Sequence, residues 1–196
     1  MSSTEPAALD PALAEPATAR DLLRHAVATL AYRGGKALRG APDRFSDFSL
    51  VDGSCTHPLP AAARAGGAPR DGAGDLHLQP LKILAHVGDL LVWALWMAKG
   101  EHRWRDDEPG TWERQVEPFY GGWAAMDENL ASGAPLGGSA ERLFQGPIAD
   151  APAHVGQPTM LRRLAGAPAR GEIDAKAHLA AGRVGPEQAP SGVELE

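Results

Sequence analysis

The chain contains one cysteine, Cys55, among 196 residues. A single thiol excludes an intramolecular disulfide and a cysteine-pair metal cage, and it fits a reducing compartment. Basic charge is also scarce: 19 Lys and Arg against 25 Asp and Glu leave a net charge of -6. Non-specific nucleic-acid binding requires a basic surface, so it is not expected. Long apolar runs are missing too. The longest uncharged one, Leu90 to Ala98, is too short to span a bilayer. The N-terminus, MSSTEPAALDPALAEPATAR, has neither a basic start nor a continuous apolar stretch, so no signal peptide is expected. The expectation is a cytoplasmic protein with no membrane partner. Several catalytic signatures are absent as well: no phosphate-binding glycine loop, no His-Glu-x-x-His, no Gly-x-Ser-x-Gly.

Glycine and proline are plentiful, at 23 and 17 residues. They crowd the segment from 52 to 75, which reads as a flexible loop carrying Cys55 and His57, with His77 just beyond it. Residues 1–16, rich in Ala, Pro and Glu, are expected to be disordered, as is a tail at 189–196. Between them, 17–188 reads as one domain, a size able to bury a core.

Four long helices are predicted from apolar periodicity. The first runs from Thr18, a capping residue, to Leu38. The second runs from Pro80 to Lys99, opened by proline and stopped by Gly100. It is apolar nearly all round, which suits a central core helix or a subunit interface. The third spans Thr111 to Ser132, with Trp112, Val116, Phe119, Trp123, Met126 and Leu130 on one stripe; Pro118 predicts a kink near Glu117. The fourth spans Pro147 to Ala165. No convincing strands are seen, so the fold class is all-α, most simply a four-helix bundle with a long first connection and an extended C-terminal tail.

Two stretches place histidine inside apolar helical sequence. His86 lies on the second helix. Asp150 and His154 stand four apart on the fourth, which puts them on one helical face. The stripe Asp150, His154, Gln157, Leu161, Leu164 ends in leucines, so it is expected to face inward, with Arg162 and Arg163 off it. A buried carboxylate and imidazole are costly without partners. A divalent cation, Zn²⁺, Ni²⁺, Fe²⁺ or Mn²⁺, satisfies His86, Asp150 and His154 together. Gln157 is then placed to orient His154 or a substrate, and Asp89 to orient His86 or reach the metal.

Residues 81–90 (LKILAHVGDL) and 154–157 (HVGQ) resemble the DinB-like (DinB/YfiT) superfamily. The runs 143–150 (LFQGPIAD) and 160–166 (MLRRLAG) resemble one uncharacterised bacterial branch of it. The likeness covers 17–188 apart from the loop at 52–75. It implies a four-helix bundle, often dimeric, with a metal near one end, and activity as a metal-dependent thiol transferase or hydrolase on a small molecule. The family pattern has a histidine on the second helix and two on the fourth. His86 and His154 match the first and last; Asp150 stands where a histidine is commoner. The alternatives are a non-catalytic bundle that forms homodimers through its second helix, and a module that binds a small apolar ligand between the aromatic residues of the second and third helices.

Overall fold

The computed structural model describes residues 18–42, 45–46, 48, 79–105 and 109–195. The expected N-terminal segment, the loop at 52–75, and Cys55, His57 and His77 lie outside the described residues. The chain is all-α in character, with four long helices: α1 (Ala19–Leu38), α2 (Pro80–Ala98), α3 (Trp112–Ala131) and, after a short α4 (Ala140–Leu143), α5 (Ala149–Leu164). A wide turn at Phe144–Ile148 joins α4 to α5. Two-residue strands β1 (Gly171–Glu172) and β2 (Glu194–Leu195) pair antiparallel.

The helix ends follow local chemistry. Thr18 accepts from the Asp21 N–H while the Asp21 carboxylate takes the Thr18 N–H, closing a capping box on α1. Pro80 opens α2, and Gly100 (φ 82°) ends it in the left-handed region. α3 runs unbroken through Pro118. α2 packs on α3 and α5, and α1 on α3 and α5. Their shared core includes Val27, Leu84, Trp123, Met126 and Leu130. A smaller cluster joins Phe45, Ile83 and Leu161, with Trp112 edge-on to Phe45 at 5.7 Å. Close approach explains two glycine positions that weaken helices on propensity alone. A Cβ on Gly34 would stand 2.3 Å from Phe119 Cζ, and one on Gly122 would stand 2.8 Å from Leu91 Cδ1. Each glycine lets two helices meet backbone to side chain.

By length and mean hydropathy (1.5) α2 is suited to a bilayer, yet half of that window is buried inside the protein. Lys82, His86 and Asp89 interrupt it.

α5 is rotated relative to the expectation. Its buried residues are Ala151, His154, Val155, Pro158, Leu161 and Arg162. Leu164 is exposed, and the Asp150 side chain is half exposed. The cause is Arg162, which the apolar pattern placed off the stripe. Its guanidinium is buried and donates to the carbonyls of Ala37 (3.1 Å), Arg39 (2.8 Å), Gly40 (3.2 Å) and Ala167 (2.8 Å). The first three belong to the C-terminus of α1, where partial negative charge collects. Burial lowers the Arg162 pKa. The carbonyls stand in for a carboxylate.

The C-terminal segment is tied down by a second saturated charge. The Glu172 side chain is fully buried and takes hydrogen bonds from Tyr32 Oη (2.7 Å), Lys36 Nζ and the Gly192 N–H (3.2 Å). Burial alone would raise its pKa; the donors outweigh that and hold it down to about 2. Burial and the bond to Glu172 push the Tyr32 hydroxyl up to about 12. Val184 and Ala189 are buried, and β2 lies within the stretch expected as a disordered tail.

Candidate metal centre

His86 comes from the second turn of α2, and Asp150 and His154 from the first two turns of α5. Because α2 and α5 pack directly, the three side chains meet: one ligand atom from each lies within 4.8 Å of the others. The imidazole rings of His86 and His154 stand edge to face, centroids 4.6 Å apart. His154 Nε2 lies 3.6 Å from Asp150 Oδ2. On the other side of the ring, Nδ1 lies 3.3 Å from Gln157 Oε1. With the Gln157 amide oxygen accepting from Nδ1–H, Nε2 would be left unprotonated on the side of Asp150. That tautomer is the one a metal ligand needs.

The donor set fits a divalent cation of borderline softness: two imidazole nitrogens and one carboxylate oxygen. Tetrahedral ligands at ~2.1 Å from an ion stand about 3.4 Å from each other. The Nε2–Oδ2 separation of 3.6 Å is close to that. The full set lies within 4.8 Å, a looser spacing than bound ligands adopt. Burial grades across it, from buried His154 through half-buried His86 to exposed Asp150. One side is therefore anchored in the core and the other faces solvent, which leaves room for further ligands.

Asp89 is not one of the three clustered residues. It is buried on α2 and pairs with Arg105 Nε at 3.3 Å, outside the three-residue cluster. Trp104 is a neighbour that helical periodicity did not single out. Its ring lies 5.8 Å from that of His86 and 6.1 Å from that of Trp93, and it is nearly half exposed. The available signal was an aromatic residue in the otherwise polar stretch from 101 to 110. His25 is exposed on α1, and His102 packs near Trp93 at 6.5 Å.

Compared with protein-family models, curated proteins and solved structures, the chain matches none of them.

Proposed function

We propose that this chain is a metal-binding protein of DinB-like, four-helix-bundle type, in which His86, Asp150 and His154 hold one divalent cation. The observation that carries this reading is the convergence of three ligand atoms from two helices within 4.8 Å. Gln157 supports it as a polar partner of His154 Nδ1, 3.3 Å away, able to orient the ring. Asp150 supplies the negative charge that partly offsets the ion's own, at the solvent-facing edge. His154, held in the core, sets where the ion sits, and the exposed side leaves its remaining positions to water or a small substrate.

The activity that fits best is thiol transfer or hydrolysis on a small molecule. A divalent ion in an open N₂O site lowers the pKa of bound water or a bound thiol and so supplies a nucleophile near neutral pH. The residues of the chain would then do the binding and orienting. Trp104 flanks His86 with an exposed ring face that a substrate can pack against.

The test is metal analysis of protein purified without an affinity tag, beside His154→Ala prepared in the same way. One equivalent of a transition metal in the wild type, lost in the variant, supports the reading. Equal metal content in both would refute it.

A further inference from the structure

We propose that a second site, on the opposite side of α5, binds a small amphipathic anion: a carboxylate head on an aliphatic body. A cavity of about 350 Å³ opens between α1, α5 and the C-terminal segment. Its size lies in the range of small-molecule sites. Pro152, Gly156, Thr159 and Arg163 form its α5 wall. At about 100° per residue they lie roughly half a turn round the helix from Asp150, His154 and Gln157. This site therefore does not rest on the metal reading.

Charge assigns the head group. The protein is acidic overall, with net charge -6, yet the cavity is lined by Arg33, Lys36, Arg163 and Arg170 against only Glu172 and Asp174. Three of the four cations are already held by carboxylates of the chain: Arg33 by Asp174, Lys36 by Glu172, and Arg170 by Glu194 at 2.6 Å. Arg163 has no carboxylate partner among the described residues. It is the one position left for an incoming anion, in a wall where every other cation has taken a carboxylate. A guanidinium fork holds such a head bidentately.

Space and surface assign the body. Pro152, Val155 and Leu195 give the cavity apolar wall, and a Cβ built on Gly156 meets nothing within 4 Å. Gly156 lies mid-helix without a positive φ, so its backbone does not require glycine. Glycine is a poor helix former, and at this position it leaves the α5 wall of the cavity without a side chain.

The experiment titrates the full-length protein with hexanoate, followed by calorimetry or NMR, with 1-hexanol and inorganic phosphate as controls. Hexanoate should bind with one-to-one stoichiometry, and both controls should bind at least about tenfold more weakly, because each lacks either the charge-assisted contact or the apolar body. Arg163→Gln should weaken hexanoate by about tenfold or more. Gly156→Phe, whose Cβ meets nothing within 4 Å, should abolish binding while leaving the helical circular-dichroism signal and thermal midpoint intact. His154→Ala and added chelator should leave hexanoate binding unchanged, so loss of the metal reading and loss of this one are separately visible. No saturation at millimolar hexanoate, unchanged affinity in either cavity variant, or phosphate binding as tightly as hexanoate would each overturn the proposal.

Discussion

The two ends of α5 handle charge in opposite ways. At the C-terminal end Arg162 is sunk among backbone carbonyls, and nearby Glu172 is sunk among Tyr32, Lys36 and Gly192. At the N-terminal end, His154 Nε2 and Asp150 Oδ2 stand 3.6 Å apart and the three ligand atoms with His86 lie within 4.8 Å, half open to water. Short, many-partnered contacts are what a buried charge needs to be tolerated. Spacing near that of ligands around an ion, with one side exposed, is what a site needs. The same helix thus supports a structural clamp and a candidate centre, and packing geometry separates them better than residue type does.

The comparison breaks most visibly at Arg162. Arg162→Ala leaves several α1 carbonyls without a donor and should cost about 3 kcal/mol in chemical denaturation. A loss under ~0.5 kcal/mol would mean that the clamp is ornamental. Acid should act on Glu172 next. Its folded pKa is depressed to about 2 from the ordinary glutamate value of 4.5. Its contribution is therefore fully present above pH ~4.5 and lost as pH falls toward ~2, up to about 3 kcal/mol in all. Hydrogen-exchange protection factors at the Ile173 and Gly192 amides, taken against the intrinsic rate at each pH, should fall across that window in the wild type and be already low at neutral pH in Glu172→Ala. A flat profile in the wild type would contradict the latch.

On the open side the effects move from stability to binding. Gln157→Ala should weaken metal affinity about tenfold, the usual cost of removing a partner of a ligating imidazole, with little change in unfolding midpoint. Asp150→Ala should alter the stability of the metal-free protein by no more than ~0.5 kcal/mol, as an exposed residue outside any clamp. A destabilisation comparable to Arg162→Ala would move Asp150 to the structural side of the comparison.

Much of the helical framework was legible in sequence because its signals are local. Thr18, Pro80, Gly100 and the α3 stripe from Trp112 to Leu130 each work within a turn or two of their own position. His86, Asp150 and His154 do come together as expected from the sequence, but the phasing that sent Asp150 inward does not hold, since its side chain is half exposed. The rotation of α5 was not legible, because Arg162 is buried for the sake of carbonyls more than 120 residues away. Apolar periodicity counts such a residue as surface. Leu164 was misplaced inward by the same pattern, and it is exposed because Arg162 takes the buried position. The Glu172 latch was invisible for a related reason: its partners Tyr32 and Lys36 lie on α1, 140 and 136 residues earlier. Trp104 went unremarked beside His86 because it sits in a stretch with no periodic pattern.

The most direct test of the central claim is a Co²⁺ titration of apo protein followed by visible absorption. Three protein ligands in an N₂O set predict a visible d–d band that saturates at one equivalent and is displaced by Zn²⁺. The band should be lost in His86→Ala and in His154→Ala and retained in Asp89→Asn. No band at one equivalent, or a band of equal strength in both histidine variants, would contradict the account.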